Sequence, residues 1–270
     1  MRFSRKMEKI NMSKTAEVAD LALSLKEHGH KIINMASGEL SFKPAFSIRK
    51  EACRTINKGE TLYTQVVGLN KLRKLIGVKL KKDLKIEYGC DEIIVSNGGK
   101  QVIYNAMQST INKGDEVIII SPYWVSYPEI IKLCGGKPKV LNTTRREGFS
   151  INTEKLEKLI TSKTKWIILN SPNNPTGVVY SSETIRKLVL VLRKYPDIWI
   201  LSDEIYEKLN FSTDKNISIL RIDEKLKERT LVVNGFSKGY CMTGWRLGYG
   251  AGPKILIEAM KKIQSQSTSA

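Results

Sequence analysis

TLVVNGFSKGYCMTGWRLGYG, residues 230–250, holds two short apolar runs, Thr230 to Asn234 and Arg246 to Gly250, joined by FSKGYCMTGW. Both runs read as β-strands, and the connection leaves no room for the crossover helix that a parallel pair requires. Antiparallel pairing is therefore expected here. The connection is itself unusual, because it sets Lys238 between Ser237 and a glycine, eight positions before Arg246.

Further strands are expected upstream at Glu92 to Ser96, Glu116 to Ser121, Lys137 to Leu141, Trp166 to Asn170 and Trp199 to Asp203. Most are continuous apolar runs, the pattern of a mostly parallel sheet covered on both faces. Helical periodicity separates them at Lys100 to Ile111, Tyr127 to Leu133, Thr153 to Ile160 and Glu183 to Lys194. The order is that of an α/β protein with a seven-stranded, mostly parallel mixed sheet. Before the sheet, residues 13–29 read as a helix ended by Gly29, and Phe46 to Asn57 as another ended near Gly59.

Bulk composition agrees with one large domain and an appendage. The chain has 270 residues, 41% of them hydrophobic and 27% charged, and no apolar run approaches the roughly 20 residues that span a bilayer. No membrane association is expected. The N-terminal MRFSRKMEKINMSK lacks the apolar stretch of a secretory signal, so a cytoplasmic protein is expected. Four scattered cysteines and only His28 and His30 give neither a disulfide framework nor a metal site. The net charge of +18 invites nucleic-acid binding. The lysines are spread along the chain, however, and KLKKDLK at 79–85 has no interleaved aromatic for base stacking. A solvated surface that steers small anions is the better reading, with no nucleic-acid partner.

Open α/β sheets bind ligands beyond the carboxyl ends of their strands, and the chemically able residues lie there. Gly98, Gly99 and Lys100 follow the first strand, Trp124 the second and Asn174 the fourth; Asp203 ends the fifth, and Ser237 and Lys238 follow the sixth. The GGK turn opens a helix whose free amides favour an anion, although it lacks the rest of a P-loop. Asp203, with Tyr206 three residues on, suits a ring nitrogen and the oxygen beside it. Lys238 is a candidate nucleophilic amine whose basicity burial and Arg246 would lower. Arg246 carries the planar fork that suits a phosphate.

These segments resemble the fold-type I, class I aminotransferases, most closely the bacterial aspartate aminotransferases of the subgroup that often also accept prephenate. The resemblance runs from MASGE at 35–39 through SNGGKQ at 96–101, SPYWVSYPE at 121–129, NSPNNPTG at 170–177 and SDEIYE at 202–207 to VNGFSKGYCMTGWRLGY at 233–249. It implies pyridoxal 5'-phosphate as cofactor, amino acid and 2-oxo acid substrates, and transfer of an amino group between L-aspartate and 2-oxoglutarate.

By the same resemblance, Lys238 bonds the cofactor aldehyde and then moves the proton between substrate Cα and cofactor C4′, and Asp203 keeps the pyridine nitrogen protonated. Asn174 and Tyr206 would bond the ring oxygen, Trp124 would stack on the ring, and Gly98, Gly99, Lys100, Ser237 and Arg246 would surround the phosphate. Gly38, Lys100, Trp124 and Asn174 would meet the substrate, Lys100 at its distal acid. Tyr63 would reach across a homodimer interface to the neighbour's phosphate.

Two departures accompany the resemblance: Leu40 and Ser41 stand where the family has Pro and Asp, and the family pattern runs on past QSQSTSA. Residues 1–40 are expected to belong to a smaller domain, incomplete at its C-terminal part, and 41–270 to the large cofactor-binding domain. On this reading truncation impairs turnover. The alternatives are an inactive remnant, half of a split aminotransferase, or another fold-type I enzyme.

Overall fold

In the computed structural model, which describes residues 3–211 and 217–269, a seven-stranded sheet carries helices on both faces. The strands are β1 (Ile93–Ser96), β2 (Glu116–Ser121), β3 (Lys137–Asn142), β4 (Thr164–Asn170), β5 (Trp199–Asp203), β6 (Thr230–Gly235) and β7 (Gly248–Ala251). The helices are α1 (Lys14–Glu27), α2 (Phe46–Asn57), α3 (Asn70–Leu84), α4 (Gly99–Thr110), α5 (Ser126–Leu133), α6 (Thr153–Leu159), α7 (Ser182–Arg193), α8 (Ile219–Ile222) and α9 (Lys254–Ser265).

Strand order is β1-β7-β6-β5-β4-β2-β3. Strands β3, β2, β4, β5 and β6 run parallel, and β7 is antiparallel to both β6 and β1. The mixed sheet and the antiparallel final pair are as the sequence suggests.

The continuous apolar runs are explained by two cores separated by the sheet. Along β2 and β4, Ile118, Ile120, Ile167 and Leu169 join one core, while Val117, Ile119, Trp166 and Ile168 join the other. Successive side chains point to opposite faces, so a strand buried on both must be apolar throughout. The first core is closed by Ile76 and Leu80 of α3 and by Ile185, Leu188 and Leu192 of α7. The second is closed by Val102 and Ile103 of α4, Tyr127 and Ile131 of α5, and Leu256 and Met260 of α9.

Local signals agree with these helices. Helix α7 starts at Ser181, whose side chain accepts from the Thr184 amide, with Glu183 in its first turn. Helix α9 is bound through Gln264, which is fully buried. It accepts from Ser96 Oγ and from Asn105 Nδ2, and donates to the carbonyls of Val66 and Val95. In contrast, α1 and α2 bury none of their residues. No helix of the described residues is long and apolar enough to cross a membrane.

Strand boundaries differ from expectation by two residues at most, and one of these differences shapes the site. The last strand begins at Gly248, not at Arg246. Thr243–Trp245 form a short turn, and Arg246 closes it in the left-handed region at φ 53°, its Nη1 donating to the Thr243 carbonyl at 2.8 Å. Extended backbone at 246 would send the side chain to a face of the sheet, whereas this turn sends it to the rim. Glycine permits the approach that follows: a Cβ on Gly248 would lie 2.4 Å from the Gly99 nitrogen.

Candidate active site

The carboxyl ends of β4, β5 and β6 and the turn after β1 meet at one rim. Gly98 occupies φ 84° and ψ 164° and brings no side-chain cap to α4. The first amides of that helix therefore have no intrahelical partner, and with the helix dipole they form an anion-attracting end. Arg246 lies directly against it: a Cβ on Gly98 would sit 2.6 Å from Arg246 Nη2. Ser237, two residues past the end of β6, is buried.

Lys238 reaches the same rim, half-buried, with Nζ 5.8 Å from the centre of the Tyr206 ring. Its Nζ donates to the Gly38 carbonyl at 2.5 Å. Gly38 thus meets the lysine through its oxygen. Burial lowers the basicity of the Lys238 amine, Glu39 opposes that, and Arg246 adds to it. Lys100 is exposed, and its ammonium lies 5.0 Å from the Trp124 ring centre. Its pKa is lowered by desolvation of that ammonium and by Arg246. Among the described residues none of these three cations has a carboxylate within ion-pair distance, so their charge is available to an anion.

Asp203 ends β5 with only 6% of its surface exposed. Tyr127 donates to its Oδ2 at 2.6 Å, and the Ile205 amide to its Oδ1 at 3.3 Å. Burial pushes the carboxyl up to about 6, against the pull of those two hydrogen bonds. Asn170 ties the neighbouring loop to β5: its Nδ2 donates to the Asp203 carbonyl at 3.0 Å while its Oδ1 accepts from the Asn174 amide at 2.8 Å. Asn174 in turn donates to the Tyr206 hydroxyl at 3.2 Å. The turn that carries Tyr206 is pinned from below by the Lys79–Glu207 ion pair at 2.6 Å. Trp124 stands edge-on to Tyr127, ring centres 5.4 Å apart.

Gly98, Gly99, Lys100, Trp124, Asn174, Asp203, Tyr206, Ser237, Lys238 and Arg246 therefore share this rim, and Gly38 touches it. Tyr63 does not join them; it is 97% exposed. Tyr127, Asn170, Gln264 and Glu204 escaped the sequence reading. Glu204 follows Asp203 but is buried on the other side, where Ser202 Oγ donates to it at 2.8 Å. Only Tyr127 had a legible signal, an aromatic in the first turn of α5 and three residues after Trp124.

The donor set suits a phosphorylated pyridine aldehyde. Unpaired cations and a glycine-opened helix end match a phosphate. A half-buried amine of lowered basicity matches an aldehyde, and a buried carboxylate matches a protonated ring nitrogen.

Comparison with known proteins agrees with this geometry. The sequence profile of the family described as "Aminotransferase class I and II" matches residues 30–270. A probable aspartate/prephenate aminotransferase of Rickettsia felis is 47% identical over 266 residues, covering 98% of this chain and 65% of the relative. The aspartate/prephenate aminotransferase of Nitrosomonas europaea is 46% identical over 269 residues, covering 100% of this chain and 68% of the relative. The chain thus spans about two thirds of the length of these relatives. Among solved structures, aspartate aminotransferase from Thermus thermophilus with maleate superposes with a TM-score of 0.95 at 38% identity, covering 100% of this chain and 70% of that one. The enzyme from Rhizobium meliloti gives 0.94 at 39% identity, covering 100% and 68%.

Proposed function

Because the chain belongs to the class I and II aminotransferases, we propose that its rim binds pyridoxal 5'-phosphate and serves amino-group transfer between L-aspartate and 2-oxoglutarate. One observation carries this reading: Lys238, Asp203 and Arg246, from three separate segments, converge on the carboxyl edge of the sheet. The names of the relatives support the substrate pair.

When bound, the cofactor supplies a ring that spreads the electron pair left behind as the substrate Cα–H bond breaks. Lys238 Nζ would accept that Cα proton and deliver it to the former aldehyde carbon, a task suited to an amine of lowered basicity. Asp203 holds the proton at the ring nitrogen. Asn174 and Tyr206 orient the ring oxygen and Trp124 covers the ring face. Gly98, Gly99, Lys100, Ser237 and Arg246 hold the phosphate. On the substrate side we assign Gly38, Lys100, Trp124 and Asn174, with Lys100 facing the distal carboxylate.

We further read the protein as a cytoplasmic homodimer to which Tyr63 contributes across the interface. The support is the exposure of that ring and the lack of buried residues in α1 and α2. We read residues 1–40 as part of a smaller domain and 41–270 as the large one.

The test is direct. Titration with pyridoxal phosphate should raise a visible absorption band, and borohydride reduction should place the cofactor mass on Lys238; Lys238→Ala should give neither. Failure in the wild-type protein removes the cofactor reading. Aspartate and 2-oxoglutarate should then yield oxaloacetate. A band without oxaloacetate keeps the cofactor reading and removes the aspartate–2-oxoglutarate pair for this chain. Light scattering of the eluting protein decides the dimer.

A further inference from the structure

We propose that Tyr127 is a positioning residue of the site: from α5 it holds the Asp203 carboxylate through one oxygen and seats Trp124 with its ring. The inference rests on the cofactor reading above and assigns a role to a side chain outside the rim.

The hydroxyl of Tyr127 donates to Asp203 Oδ2 at 2.6 Å, and the two residues are 2% and 6% exposed. Water does not compete for this bond, and a buried carboxylate needs such a partner to keep its charge and orientation. The remaining bond to Asp203, from the Ile205 amide to Oδ1, is longer at 3.3 Å. Removal of the hydroxyl leaves that weak bond alone. The tyrosine itself is fixed on two sides: its amide donates to the Trp124 carbonyl at 3.0 Å, and its ring meets the edge of Trp124 at 88°. A shift of Tyr127 would thus move both the acid beneath the ring nitrogen and the indole that covers the ring.

A plain core role is the competing account, since Tyr127 also packs in the apolar cluster of α4, α5 and α9. The two differ in what the hydroxyl does. Donation to Asp203 favours the ionised carboxylate, so its loss raises the pKa of Asp203, and cofactor affinity then falls away at a higher pH on the acid side. The titratable groups that face Asp203 among the described residues are Tyr127 from α5 and Tyr206 from the turn after β5. Strand β4 presents the neutral Asn170, bonded to the Asp203 main chain.

Equilibrium dialysis with pyridoxal phosphate from about pH 5 to about pH 9 tests this, a range that brackets the raised carboxyl. Tyr127→Phe should bind about 10- to 100-fold more weakly near neutrality, the range expected for losing a hydrogen bond to a charged group, with its acid midpoint moved to higher pH. In an Asp203→Asn background the same change should cost less than about twofold, because the two groups act as one pair. Equal loss in both backgrounds, or an unmoved midpoint, overturns the proposal. If the wild-type protein does not bind the cofactor, the underlying reading falls with it; binding by the wild type with no signature in Tyr127→Phe sinks this inference alone. Should Tyr127→Phe not fold, the wild-type protein with carbon-13 at tyrosine Cζ provides a second reading. The Tyr127 resonance should move on Asp203→Asn, and a resonance that stays put overturns the proposal.

Discussion

Arg246 and Gly98 are in contact across the turn between β1 and α4: no side chain fits at 98 without displacing the guanidinium, since a Cβ there would lie 2.6 Å from Arg246 Nη2. One residue supplies a cation and the other the space and the open helix end. Neither serves an anion fully without the other.

Gly98→Ala is accordingly expected to act twice. The backbone at φ 84° and ψ 164° is a region nearly confined to glycine, so alanine should lower stability by about 1–3 kcal/mol in a urea melt. The displaced Arg246 should also weaken pyridoxal phosphate binding at least about tenfold, the scale of one charge-assisted hydrogen bond. Unchanged affinity would separate Arg246 from the phosphate.

Lys238 should react as a weakened base. Its pKa is below the ordinary 10.5, chiefly through burial, so the neutral amine persists to lower pH than in a free lysine. The visible band formed with pyridoxal phosphate, followed against pH, should develop with a midpoint below that ordinary value. Arg246→Ala removes a neighbouring positive charge and should move the midpoint back upward.

Stability should decline as pH rises from the ordinary 4.5 toward about 7 because of Glu204. Burial pushes its carboxyl from the ordinary 4.5 to about 7, so the folded protein binds a proton that the unfolded chain has already lost between those values. The slope of stability against pH is negative there, and the protonated state is the favoured folded form. Glu204→Gln mimics that form and keeps an acceptor for Ser202 Oγ. At about pH 8 it should gain up to about 3 kcal/mol over wild type, with little difference near about pH 4, as read from paired urea melts.

Gln264→Leu should destabilise strongly. Its amide serves Ser96, Asn105 and the carbonyls of Val66 and Val95 in a buried setting. Leucine fills the volume but leaves several polar groups unpaired at about 1–3 kcal/mol each. A loss of at least about 3 kcal/mol, with α9 losing hydrogen-exchange protection first, is the expected result.

Legibility followed the range of each interaction. Strands β2, β4, β5 and β6 were visible because burial on both faces demands unbroken apolar runs, but Thr164 and Lys165 hid the true start of β4. Helix α3 was seen only as the lysine-dense 79–85, since Arg73, Ile76, Leu80 and Leu84 form its buried stripe among many cations. The buried spacing of Leu256, Ile257, Met260 and Gln264 in α9 has the helical period, but it follows the last strand and connects no pair of strands. In the site, residue types at strand ends could be read from position, whereas the Tyr127–Asp203 bond joins residues 76 apart in the chain.

Sequence by itself determined the α/β order, the antiparallel last pair and the chemical repertoire of the rim, because periodicity and connection length are local properties. Tertiary structure alone decided that Arg246 leaves the strand in a left-handed turn to meet Gly98, and that Tyr127 rather than a cation bonds Asp203. Both depend on desolvation and on which groups packing brings within hydrogen-bond reach, and neither quantity exists until helices α4 and α5 lie against the sheet.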